Sequence, residues 1–348
     1  MNETSTLDLA IIGAGPIGLE AAILARRHGL NYEVFEAGAV VNAIYNYPTY
    51  MTFFTTSERL EIGGHPLITA TDKPTRKEAL DYYRKVTAAE QLNISLYSKV
   101  TALVQEAHGF ALTVETKNGQ AHGQIRSVYA RKVAVATGYF DTPKLLGIPG
   151  EDRPNVSHYY SEAHAFWQRP VTIIGAGSSA ADAALDLYRA GAKVTMIHRG
   201  DSFRHSLKYW IRPNLENRVK EGSITAHFNT TVQEITADTV IAHKHHQDSQ
   251  TTDVLHIPSD FSFALTGYYA APDLLRSAGV NIGENHAAEL NHDTYESNVP
   301  GLYVLGSAGF GTRTSDVFIE NGLVHSRQAV DDIVTKLNAE AVLEPVAS

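Results

Sequence analysis

The sequence predicts an α/β protein with two dinucleotide-binding domains, and three observations carry that expectation. A glycine fingerprint sits between a buried strand and a helix at residues 13–18. An ungapped copy of the whole unit recurs 162 residues later. Short alternating strands follow the first copy, with Asn118-Gly119 marking a hairpin turn between two of them. The fold expected is two Rossmann-like, three-layer ββα domains, the second inserted into the first.

Leu7 to Ile12 is apolar and β-branched, as suits a strand buried on both faces. Gly13-Ala14-Gly15-Pro16-Ile17-Gly18 then reads G-x-G-x-x-G. Gly13 permits the turn, Gly15 lets backbone approach a pyrophosphate, and Gly18 allows the helix to sit close to the strand. The helix start offers N–H groups and partial positive charge to a diphosphate. Glu36 ends the second strand, where a carboxylate can accept hydrogen bonds from ribose hydroxyls.

Ala43 to Gly64 holds three tyrosines and two phenylalanines. They either pack against the core or line a flat aromatic cofactor. Thr75 to Gln91 reads as a helix, with Thr75 and Glu78 in capping-box positions. ISLYSKVTAL (94–103), FALTVETKNGQ and YARKVAVATG read as strands, the last ending in a small-residue turn at Gly138. The proline- and glycine-rich stretch from Asp141 to Pro154 is a domain linker.

In the second copy, VTIIGAGSSAADAALDLYRAGAKVTMIHRG, Gly175 and Gly177 repeat Gly13 and Gly15, while Ala180 replaces Gly18. Position 198 carries His where the first copy has Glu36, followed by Arg199 and Arg204. A carboxylate suits a free ribose and repels a 2′-phosphate; arginines attract one. Each charge-assisted bond contributes roughly 1.5–3 kcal/mol, so two would discriminate about a hundredfold or more. The second site should prefer NADPH.

The basic stretch Arg204 to Lys220 reads as a solvated helix face, and His243-Lys244-His245-His246 as an exposed turn rather than a metal site. DFSFALTGY (260–268) is a buried strand that marks the return to the first domain. PGLYVLGS (300–307) is a further strand, and Ile319 opens a helix running to about Leu337, followed by a frayed tail. Net charge is −9, which disfavours generic nucleic-acid binding. No apolar run is long enough to span a membrane, and no signal peptide is visible, so a cytoplasmic location is expected. With no cysteine, redox chemistry has to be carried by a bound cofactor.

Several motifs together resemble a family. They are GAGPIG with Glu36, AVATG at 134–138, GAGSSA with His198, Arg199 and Arg204, and PGLYVLGS. Across essentially the whole chain they are similar to the low-molecular-weight thioredoxin reductase-like flavoproteins. Within that group NAIYNYPTYMTFFTTSERLEIGG, FALTGY and FIENG most resemble the bacilliredoxin (bacillithiol-disulfide) reductases. The resemblance implies an FAD domain at 1–144 and 270–348, an NADPH domain at 145–269, and a homodimer. It implies reduction of a low-molecular-weight disulfide or a small redox protein, the alternative being a ferredoxin, flavodoxin or quinone-like acceptor.

By the same resemblance Gly13, Gly15, Pro16, Ile17, Gly18 and Glu36 would hold FAD. Asn42, Thr52, Val100, Thr137, Gly138, Gly306 and Ser307 would complete that site. Gly175, Gly177, Ser178, Ser179, His198, Arg199 and Arg204 would hold NADPH. Ser307 stands where the superfamily usually has aspartate, and Gly200 replaces the second arginine of the related HRRxxxR pattern. Thioredoxin reductases carry C-x-x-C, and bacilliredoxin reductases commonly place one cysteine in the first fingerprint. Here that position is Ile17, and no catalytic residue transfers by identity.

Overall fold

The structure, a computed structural model, describes residues 6–204, 207–246 and 251–343. The chain forms two compact units. One comprises Met1–Tyr45, Met51–Thr142 and Tyr268–Ser348; the other, Asn46–Tyr50 and Pro143–Gly267, interrupts it in sequence. A short piece of the aromatic loop thus belongs to the second unit, where Thr49 N–H donates to the Ser161 carbonyl at 2.9 Å.

The first unit begins with β1 (Leu7–Ile12), α1 (Pro16–Arg27), β2 (Tyr32–Phe35) and the single turn α2 (Asn42–Tyr45). Then come α3 (Arg76–Ala89), β3 (Ile94–Ser95), β4 (Ser98–Glu106), β5 (Gly109–Thr116) and β6 (Ile125–Val135). Thr75 and Glu78 form the reciprocal capping box that starts α3. Strands β3, β2, β1 and β6 pair in parallel, while β4, β5 and β6 form an antiparallel meander. β6 serves both, which makes one sheet of two parts.

Two local expectations differ from the structure. The run ISLYSKVTAL is two strands rather than one, because Tyr97 adopts φ +51 and turns the chain. Tyr97 N–H donates to the Gly38 carbonyl (3.1 Å) and Ser98 N–H to that of Glu36 (2.7 Å), which pins the break beside β2. Asn118-Gly119 does lie between β5 and β6, with Gly119 at φ +73, but the connection occupies residues 117–124 rather than a two-residue turn.

The second unit contains β7 (Val156–Ser157), β8 (Pro170–Ile174), α4 (Ser178–Arg189), β9 (Lys193–Ile197) and α5 (Arg212–Lys220). It continues with β10 (Thr225–His227), β11 (Thr230–Ile235), β12 (Thr239–His245), β13 (Thr252–Pro258) and β14 (Phe261–Ala264). The parallel sheet runs β10-β9-β8-β14-β7, and β11-β12-β13 form a separate antiparallel sheet. His243, Lys244 and His245 lie on β12, not in a turn. Inward-facing Val240 and Ala242 extend the two-residue alternation through them.

The chain returns to the first unit with α6 (Asp273–Ser277), β15 (Leu302–Val304) and α7 (Ile319–Leu343). β15 pairs in parallel with β6. Helix α7 runs past the expected Leu337 and takes in residues 340–343 of the tail expected to fray over 340–348; residues 344–348 lie outside the described residues.

Both units share one layering. In the first, Ile12, Phe35, Val133 and Val135 of the parallel strands pack on Leu103, Leu112 and Val114 of the meander. Leu9 and Ile11 point to the other face and are fully buried, as are Leu19 and Ile23 of α1. In the second, Ile174 and Ile197 meet Ile235, Val240 and Ala242, whereas Val171 and Ile173 meet Ala180, Ala184 and Leu187 of α4. The fold is therefore α/β with two ββα dinucleotide-binding modules.

Candidate functional site

Parallel strands end together, and in open α/β sheets ligands bind in the crevice outside those carboxyl ends. In the first unit β2, β1, β6 and β15 lie side by side, so Glu36, the 13–18 turn, Ala136–Gly138 and Gly306–Ser307 form one rim. The three glycines of the turn differ in what a side chain would meet. A Cβ on Gly13 would lie 2.5 Å from the Ala136 carbonyl oxygen, and one on Gly18 2.0 Å from that of Gly13. A Cβ on Gly15 would meet nothing within 4 Å. The outer glycines are thus needed for packing, and Gly15 alone opens onto free space. Pro16 occupies the first turn of α1, and no side chain caps the helix, so its leading N–H groups face the crevice.

Glu36 is buried at 8% exposure, and its two oxygens are already engaged. Oε2 accepts from Ala14 N–H at 2.8 Å and Oε1 from Gly38 N–H at 2.7 Å. Burial pushes this carboxyl above its ordinary range despite the two amides, which pull the other way. The Ala14 carbonyl accepts from Val41 N–H at 2.9 Å, so the fingerprint is clamped from both sides.

The second unit repeats this geometry at the same 162-residue displacement. Leu9↔Tyr32 through Ile12↔Phe35 becomes Val171↔Val194 through Ile174↔Ile197. Helices α1 and α4 begin and end at equivalent residues. Gly175 approaches the Leu265 carbonyl as Gly13 approaches Ala136, and Gly177, like Gly15, faces open space. Gly177 provides no side-chain cap, and Ser178 and Ser179 open the helix. His198 follows β9, its pKa lowered by burial and then by Arg204 and Arg199. Arg199 and Arg204 are exposed, and among the described residues neither guanidinium pairs with a carboxylate.

The remaining expected residues divide. Asn42 starts α2, and its Oδ1 accepts from Ala39 N–H at 3.3 Å, next to the Glu36 clamp. Gly138 (φ +71) faces Ser307, whose Oγ would be 3.9 Å from a Cβ there. Thr137 is exposed on the same rim, and exposed Thr52 forms an isolated bridge with Thr75. Val100, by contrast, is buried in the core opposite Val114. Ile17 is wedged between two glycines, since a Cβ on either Gly306 or Gly322 would lie 2.4 Å from its Cδ1. Among the described residues no three His, Cys, Asp or Glu side chains are grouped as metal ligands would be.

Comparison with known proteins agrees with this geometry. The model of the pyridine nucleotide-disulphide oxidoreductases matches residues 10–306. The chain belongs to that family. Bacilliredoxin reductase Bdr of Bacillus subtilis is 37% identical over 330 residues, 94% of this chain and 98% of that protein. The structure of bacillithiol disulfide reductase Bdr (YpdA) from Bacillus cereus superimposes with a TM-score of 0.90 at 37% identity. That match covers 95% of this chain and 100% of the other. A ferredoxin–NADP reductase of Ignicoccus hospitalis is 26% identical over 306 residues, 86% of this chain and 89% of that protein.

As a pyridine nucleotide-disulphide oxidoreductase, the chain is an NADPH-dependent flavoprotein with FAD as its flavin. The residues present fit two dinucleotides. Each unit has an uncapped helix start, a glycine whose Cβ would fill an open cradle, and a distinct charge after its second strand. No helix of the described residues is long and apolar enough to cross a membrane.

The sequence did not single out four contributors to this arrangement. Val41 and Gly38 act through backbone N–H groups, which no side-chain pattern reports. His325 lies on α7, where its Nδ1 accepts from Gly306 N–H at 3.2 Å. Gly322, His325, Ser326 and Ala329 recur at helical spacing and are all buried, a periodicity that marks the inward face. Ser326 Oγ donates to the Ile17 carbonyl at 2.8 Å and completes the contact of α7 with the fingerprint.

Proposed function

We propose that this protein transfers reducing equivalents from NADPH to bacillithiol disulfide or to a bacilliredoxin-type disulfide. The 37% identity to Bdr over nearly the full length of both chains is the observation that carries this reading. FAD is assigned to residues 1–144 and 270–348, and NADPH to 145–269. We further assign the enzyme to the cytoplasm as a homodimer.

In this reading the N–H groups at the start of α1 hold the FAD diphosphate beside Gly15, and Glu36 faces the adenosine ribose. Asn42, Thr52, Thr137, Gly138, Gly306 and Ser307 line the rest of the crevice. Pro16, Ile17 and Gly18 shape its floor, with Val100 supporting it from the core. In the second unit Gly177, Ser178 and Ser179 hold the NADPH diphosphate, while His198, Arg199 and Arg204 receive the 2′-phosphate. The chemistry supplied by bound FAD is two-electron storage between NADPH and the acceptor. The overall balance is NADPH, a proton and one disulfide giving NADP⁺ and two thiols. With no cysteine, the chain cannot form a mixed disulfide with its substrate, so it must orient the substrate without covalent attachment.

The lack of cysteine also favours a second reading, in which the acceptor is ferredoxin, flavodoxin or a quinone. One experiment separates them. The enzyme is reduced anaerobically with NADPH, the flavin band near 450 nm is followed, and bacillithiol disulfide, bacilliredoxin, ferredoxin and flavodoxin are each added. Rapid reoxidation by the thiol-disulfide pair supports the first reading. Reoxidation by ferredoxin or flavodoxin alone replaces it with the second. For the nucleotide assignment, Arg199→Ala with Arg204→Ala should lower the preference for NADPH over NADH by about a hundredfold. An unchanged ratio would remove these arginines from the site.

A further inference from the structure

Gly306 is the first residue after β15 and Leu305, at a left-handed φ of +61. Its buried N–H points away from the crevice rim toward α7, where His325 Nδ1 lies 3.2 Å away. The imidazole is 5% exposed and stacked on Tyr295, with ring centroids 3.7 Å apart and planes 16° from parallel. Phe310 lies 6.0 Å away on a near-parallel plane. Tyr295 is itself tied to the sheet, its carbonyl accepting from Val304 N–H at 3.0 Å. The ring therefore holds the tight turn Gly306–Gly309 at its first residue and touches Phe310, just past its last.

We propose that His325 is a positioning residue of the first dinucleotide site, holding the Gly306–Ser307 wall at the distance the flavin requires. The inference rests on the reading that FAD occupies the crevice of the first unit. It follows from three geometric facts. Ser307 shares the turn with Gly306, and its Oγ faces Gly138 across the rim. Gly306 also backs onto Ile17 of the fingerprint, whose Cδ1 would lie 2.4 Å from a Cβ there, so a rotation of this peptide would be felt on both walls of the site. Nδ1 can accept the amide proton only when it carries none itself, so the ring acts as a neutral Nε2–H tautomer. Burial, the largest cause, together with neighbouring His292 lowers the imidazole pKa to about 4, which keeps that tautomer in place at neutral pH.

Three variants of the FAD-loaded enzyme separate positioning from bulk packing. His325→Phe keeps a stacked ring but offers no acceptor and leaves the Gly306 N–H buried and unpaired. His325→Asn loses the ring but can present Oδ1 near the place of Nδ1. Gly15→Val puts a side chain into the open cradle and tests the FAD assignment by itself. FAD release on dilution is read by flavin fluorescence, with the flavin midpoint potential and Tm alongside. His325→Phe should weaken FAD retention by about tenfold or more, the effect of an unpaired buried donor, and shift the potential. His325→Asn should recover most of that loss. If the Phe variant does not fold, His325→Leu removes the acceptor by a second route and is read in the same way.

FAD retention and potential unchanged in the acceptor-free variants would overturn the inference, whatever happened to Tm. If Gly15→Val also left FAD retention unchanged, the placement of FAD would fall instead. Loss of FAD in Gly15→Val but not in the His325 variants would sink only the role given to His325.

Discussion

The wedge of Ile17 between Gly306 and Gly322 gives a prediction whose sign is decided by geometry. Gly322 lies in the first turns of α7, where Ala in place of Gly would ordinarily stabilise by about 1 kcal/mol. Here the new Cβ would lie 2.4 Å from Ile17 Cδ1 and 3.1 Å from Cγ1, against about 3.5–4 Å for a comfortable carbon contact. Cδ1 is the end of a side chain and could in general swing aside. Its room is limited here, because Gly306 lies on the other side, where an added Cβ would also fall 2.4 Å from Cδ1. Overpacking of this kind costs roughly 1–3 kcal/mol, so Gly322→Ala should be destabilising by about 1–2 kcal/mol after the helix gain. Ile17→Ala alone should cost about 1–3 kcal/mol for a half-buried side chain, and it removes Cγ1 and Cδ1. In that background Gly322→Ala should turn mildly stabilising, which makes a coupling of about 2–3 kcal/mol. Urea unfolding of the four proteins at fixed FAD measures it. Equal effects of Gly322→Ala in both backgrounds, or a stabilising effect in the parent, would refute the wedge.

Four further outcomes are expected. The folded His325 imidazole, at about 4, binds protons more weakly than the unfolded one at 6.5, so acid favours unfolding. Its contribution is complete above pH 6.5 and lost as pH falls toward 4, about 3 kcal/mol over that window. Subtracting the pH–stability curve of His325→Asn from that of the parent should isolate this slope. Thr172 is fully buried on β8 with its hydroxyl unpartnered among the described residues, so Thr172→Val should stabilise by about 1 kcal/mol, seen as a higher Tm. Glu90 receives Arg26 (3.2 Å), Arg27 (2.6 Å) and His65 (2.8 Å). Although burial raises the Glu90 pKa, hydrogen bonds from His65 and Arg27 outweigh it and hold the carboxyl below its ordinary range. Glu90→Gln should cost about 1–2 kcal/mol at pH 7, discounted because both arginines are half exposed. Lys77→Ala, at an exposed pair, should change stability by less than about 0.5 kcal/mol in the same denaturation assay.

The parts of this fold that are local in sequence were legible there. The fingerprint, its copy, the capping box at Thr75 and the charge difference between positions 36 and 198 each depend on neighbours within about thirty residues. What stayed hidden depends on convergence. Ile17 stands out in the sequence as the fingerprint position where the resembling family commonly has cysteine, but its contact with α7, made 309 positions later in the bond from Ser326, does not. His325 reads as a lone histidine, because Tyr295 and Gly306 reach it only through the tertiary fold. The break at Tyr97 was missed for a related reason, since ISLYSKVTAL carries no glycine, proline, asparagine or aspartate to mark a turn. The carbonyls of Glu36 and Gly38 that capture its turn are invisible to propensity.

Glu36 links two properties that a designer would want to vary separately. Its carboxylate fixes the fingerprint backbone through Ala14 and also supplies the charge at the end of β2. Among the described residues the ring of His198, in the equivalent place, makes no hydrogen bond to its own fingerprint. The first unit therefore cannot exchange its charge for one that welcomes a 2′-phosphate without unfastening its loop. The second can change residues 198–204 and keep its loop intact. With NADPH in the second unit, as proposed, coenzyme choice is a surface trait there, so drift or engineering toward NADH can proceed through residues 198–204 without unfastening a fingerprint loop.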